Sequence, residues 1–135
     1  MLDPNIDTIR LFIHVLSASV WVGGQIVLAG VVPRLRQVGP DATRAVANGF
    51  ARVAWPAFAI AFFSGIWNVL AIEDSSSLSY NVTLGIKLIL VMVAGASAFQ
   101  HSRTSSKPVL AMTGAIGAVT SVVVLFLGVL LSNPS

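Results

Sequence analysis

The chain has 135 residues, 56% of them hydrophobic and only 10% charged, with a formal net charge of +3 and no cysteine. At a mean hydropathy of +0.87 it reads as one integral membrane domain with no room for a separate soluble catalytic domain. The missing cysteines exclude disulfides, thiolate metal sites and c-type haem attachment, and the basic residues gather in two inter-span stretches, a topology signal rather than a nucleic-acid surface.

Asp3 and Asp7 precede the first apolar run where a secretory signal would be basic, so that run is expected to be a retained span. Four spans are predicted, at 11–32, 53–72, 82–100 and 109–131, each matching a hydrocarbon core of ~30 Å at ~1.5 Å per residue. The expected fold is all-α, an integral membrane four-helix bundle forming a single transmembrane domain over 1–135. In the first span Ser17, Trp21, Gly24 and Gln25 share the helix face of His14, a coherent stripe that should face other helices. Arg34, Arg36, Arg44 and Arg52 follow. Asp41 reads as an N-cap leading into the second span, and Pro56 predicts a kink or change of direction near Trp55-Pro56. Glu73 to Tyr80 is expected to be an exterior loop. In the third span Lys87, Ala94, Ala98 and His101 share a face, and Arg103 and Lys107 mark the next basic stretch.

Both basic stretches are expected in the cytoplasm and both termini outside, in a bacterial-type plasma membrane. Small residues at Gly23-Gly24, Gly95-Ala96-Ser97 and 114–118 suit close helix packing in lipid, within the bundle or against a second copy or a larger membrane complex.

His14 carries the functional argument, because an ionisable side chain within a span costs a few kcal/mol and implies a partner. Counting from the outer ends of the spans puts His14 roughly 6 Å and Lys87 roughly 9 Å deep, with Trp67 and Asn68 in the same slab. His101 is about 21 Å further along the third helix than Lys87, too far to share a mononuclear site with His14. Structural readings stand beside the functional ones: a neutral His14 hydrogen-bonded to a neighbouring helix, a Lys87 reaching for the headgroups, His101 at the cytoplasmic boundary, and tryptophans at the membrane interface. Only Trp21 gains from its company. One well-placed histidine, no cysteine and a deeper Met92 are thin for copper selectivity, whereas haem needs only one imidazole with room beside it. Lys87 could supply a second axial ligand as a neutral amine. There is no acidic residue in any span, no phosphate-binding glycine loop and no His-Glu pair at metalloprotease spacing.

His14, Trp21, Gly23-Gly24 and Pro33-Arg34-Leu35, in that order, resemble the first helix shared by the copper-resistance D (CopD) proteins and the small protoporphyrinogen oxidases of the HemJ type. Pro56-Ala57, Gly65 and Trp67 resemble their second helix, and Lys87-Leu88 with His101 their third, so the resemblance covers three of the four spans. It implies haem b bound through His14 and Lys87, with oxidation of protoporphyrinogen IX, on the HemJ side, and copper uptake on the CopD side. Leu84-Gly85-Ile86 replaces the aromatic residue and second histidine usual before the lysine in HemJ-type enzymes, while Trp21-Val22-Gly23-Gly24 looks closer to CopD. The expectation is a membrane protein holding haem b or a transition metal through His14, with Lys87, Trp21 and Asn68 as further cofactor-binding candidates. Copper handling and a non-catalytic accessory subunit are the alternatives.

Overall fold

A computed structural model describes residues 1–72 and 77–133. The exterior-loop prediction falls partly on Glu73 and Asp74, which lie outside the described residues. The described chain is all-α, with four helices: α1 (Ile6–Val38), α2 (Pro40–Leu70), α3 (Leu78–Arg103) and α4 (Lys107–Ser132). Each is long and apolar enough to cross a membrane. Large apolar side chains such as Phe12, Ile26, Phe63, Met92 and Phe126 project outward, a surface that belongs in lipid.

The chain divides into two compact units, 1–72 and 73–135, each a helical hairpin: α1 packs on α2, and α3 on α4. All four helices are longer than the predicted spans, because charged residues mark the edge of the apolar run and not the end of the helix, though α2 stops at Leu70, just short of the predicted end at 72. Most of the predicted first inter-span loop is helical. α1 continues past Arg34 and Arg36 to Val38, and α2 begins one residue later. The turn is Gly39, whose φ of 148° only glycine adopts without strain. Its N–H donates to the Leu35 carbonyl at 3.0 Å, and Pro40 takes the first helical position, where a missing N–H costs nothing. Gly39 rather than Asp41 is therefore the N-cap of α2, and Asp41 lies in the first turn, where its charge favours the helix dipole. α2 runs unbroken through Trp55-Pro56, as α1 does through Pro33.

At the other end of the first hairpin, Asn5 caps α1 in a reciprocal box with Thr8. Within the hairpins, packing depends on small residues, since lipid supplies no hydrophobic drive for one helix to leave it for another. Ser17, Trp21 and Val22 are buried on α1, and Ala54, Ala57 and Ser64 on α2. A Cβ on Gly24 would run into the Phe50 ring, so that crossing is closed to any larger residue unless Phe50 moves. Trp21 stacks against Phe58 and Trp55, with ring centroids 4.6 and 5.5 Å away. In the second hairpin Thr113, Gly117 and Ser121 form a buried stripe at four-residue spacing along α4, with Ala94 buried on α3.

Candidate functional site

The end of the first hairpin that holds the start of α1 and the end of α2 carries a ladder of polar pairs. Arg10 Nε donates to Asn68 Oδ1 at 2.7 Å, and His14 Nδ1 lies 3.0 Å from Ser64 Oγ. Each step of four residues inward on α1 is matched by four residues back along α2, so the two pairs lie one helical turn, about 6 Å, apart on one face. Arg10 also meets Asp7 at 3.1 Å, and its side chain is only 16% exposed.

The His14–Ser64 pair fixes the imidazole's chemistry. Ser64 Oγ donates its single hydrogen to the Ile60 carbonyl at 2.6 Å, with Ala61 O at 3.2 Å as a second acceptor. With its hydrogen on the Ile60 carbonyl, the hydroxyl accepts from the ring. In that arrangement a neutral imidazole carries its proton on Nδ1 and its lone pair on Nε2, the tautomer that ligates a metal through Nε2 with its other nitrogen held by an outer hydrogen bond. Gly65 makes room for the ring: a Cβ there would stand 3.2 Å from His14 Cε1. One turn deeper, Ser17 returns its hydroxyl to the carbonyls of Ile13 and His14 at 2.7 and 3.1 Å, so it adds no donor directed away from its own helix.

The other residues singled out in the first hairpin are used differently. Asn68, expected beside His14, accepts from Arg10 one turn nearer the helix start. Trp67 is exposed. Trp21 lies seven residues, about 10 Å, from His14 along α1, with its ring in the aromatic cluster.

In the second hairpin, α3 is one continuous helix, so Lys87 and His101 are separated by the full 14 residues, about 21 Å. Both lie over glycines of α4. Lys87 Nζ is 3.2 Å from where a Cβ on Gly128 would stand, so its head is folded onto α4. His101 packs on Gly114, its Nδ1–H donating to the Leu110 carbonyl at 2.9 Å, with Thr113 Oγ1 at 3.4 Å. Both histidines therefore meet a hydroxyl-glycine pair, Ser64-Gly65 or Thr113-Gly114. That shared pairing depends on helix register, which the sequence alone does not give. Arg103 stacks over Phe99 at 5.0 Å.

Among the described residues no three His, Cys, Asp or Glu side chains converge. The donor set of the first hairpin is one imidazole held by Ser64, with an arginine a turn away. That set suits a ligand that brings its own metal and most of its own coordination, as haem does, and which asks the protein for one axial nitrogen. In comparisons with known proteins, no family model, no curated protein and no solved structure matches the chain.

Proposed function

We propose that the chain is a membrane protein that holds haem b through His14 Nε2 and takes part in redox chemistry of the kind the HemJ-type resemblance implies. The observation that supports this is the 3.0 Å contact of His14 Nδ1 with a Ser64 hydroxyl that donates to the Ile60 carbonyl, an arrangement that suits a lone pair on Nε2. Haem, when bound, supplies the one-electron chemistry. The protein's own contributions are to orient the imidazole through Ser64, to leave room beside it at Gly65, and to place Arg10 and Asn68 toward the outer end of the hairpin.

The test is the absorption spectrum of detergent-purified protein. A Soret band that is lost in His14→Ala but survives Trp21→Phe supports the reading. A colourless protein carrying stoichiometric copper, itself lost in His14→Ala, would favour copper handling. A colourless, copper-free protein that co-purifies with a larger membrane complex would favour an accessory role. For the oxidase activity, the expected result is rescue of a strain lacking its own protoporphyrinogen oxidase. Normal membrane expression without rescue would refute that activity.

A further inference from the structure

Arg10 is held more tightly than a headgroup anchor requires. Its Nε is tied to Asn68 at 2.7 Å, its Nη1 reaches Asp7 at 3.1 Å, and the side chain is 16% exposed. A guanidinium has five N–H donors. Among the described residues it makes those two contacts, which leaves three donors uncommitted on a group that gains most from paired acceptors. The resident acceptor is weak: Asp7 is 66% exposed and sits three residues away on the same helix, a surface pair worth little and readily displaced. What the position lacks is a second carboxylate that approaches from the ligand side.

We propose that Arg10 recognises a carboxylate on the edge of the ligand held by His14, so that the ligand is an acidic tetrapyrrole rather than a bare metal ion or a neutral macrocycle. This rests on the haem reading of His14. Arg10 lies one turn, about 6 Å, from His14 along the same face of α1, so a ligand held at His14 that extends toward the start of the helix meets the guanidinium. Asn68 fixes the plane of the guanidinium, and a planar fork set in advance loses little entropy when it accepts a carboxylate. Asp7 then acts as the placeholder that the ligand's carboxylate displaces.

The experiment titrates purified protein with haemin and with haemin dimethyl ester, following the Soret band. The quantity read is the change in the ratio of the two Kd values between wild type and variant, in which the partition of each compound into detergent cancels. Arg10→Gln is expected to shift that ratio toward the ester by about tenfold or more, as charge-assisted hydrogen bonds allow. The band should not move, because the axial nitrogen is unchanged. Arg10→Lys should keep part of the preference, which also covers the case in which Arg10→Gln loses its helical circular dichroism. An equal ratio in wild type and Arg10→Gln, with the band lost in His14→Ala, overturns the role of Arg10 and leaves the haem reading standing. No band in wild type with either compound overturns both.

Discussion

Ser64→Ala is the sharpest test of how the hairpin sets the state of His14. Ser64 is buried, its Oγ is 3.0 Å from His14 Nδ1, and its hydrogen goes to the Ile60 carbonyl at 2.6 Å. The Ile60 carbonyl sits inside a continuous helix and keeps its backbone partner, so the substitution removes one interhelical hydrogen bond. Such a bond in a membrane is worth about 0.6 to 1.7 kcal/mol, and the hairpin should lose stability in that range. The effect on the ligand is larger in proportion. Without an acceptor at Nδ1 the imidazole is free to carry its proton on either nitrogen, and loss of such an outer hydrogen bond costs roughly 10- to 100-fold in affinity for a ligated metal. Nitrogen-15 spectra of histidine-labelled protein read the tautomer without any ligand: wild type should show a protonated Nδ1 at His14, and Ser64→Ala a mixture. Ser64→Thr should restore the wild-type pattern, since Thr113 presents the same hydroxyl beside His101 with its hydrogen on the Val109 carbonyl. An unchanged tautomer in Ser64→Ala, or unchanged haem affinity when His14→Ala abolishes binding, would refute the reasoning.

Gly24→Leu should destabilise the first hairpin by about 1 to 3 kcal/mol through overlap with Phe50. Phe50→Ala in the same chain should recover much of the loss in an unfolding titration in detergent, whereas simple additivity would contradict the contact. Gly128→Leu should displace the Lys87 head from α4, and a labelling reagent for amines is expected to modify Lys87 faster in that variant than in wild type. Asp7→Asn should change stability by less than about 1 kcal/mol, because the pair it breaks is largely exposed. A larger loss on unfolding would show that Asp7 does more than hold a place. Gly39→Ala should cost about 1 kcal/mol or more in hairpin stability through the positive φ alone, because open space surrounds that position.

The four apolar segments and the inward stripe of α1 were legible because hydropathy and helical period are properties of one segment at a time. Ser17 and Trp21, on the His14 face, are both buried, and Ala94, on the Lys87 face, is buried as well. What could not be read was register, which belongs to a pair of helices. In the sequence Ser64 and Arg10 each stand alone on their own segment, with nothing to say which residue either meets across the hairpin. Only the pairing of α1 with α2 brings Ser64 to His14 and Asn68 to Arg10. The helices outrun the spans for another reason: the arginines after the first apolar run mark where lipid stops, while the backbone stays helical until Gly39 reverses it, two residues before Asp41.

The one-residue turn at Gly39 also bears on the order of assembly. Two helices of 33 and 31 residues joined by so short a link pay almost no loop-closure entropy to meet, so α1 finds α2 as soon as both exist. The chain emerges N-terminus first, and the Arg10–Asn68 and His14–Ser64 pairs are complete once residue 72 has been made. A nascent protein with α3 and α4 still unsynthesised already contains every hydrogen bond described here that sets the histidine's tautomer.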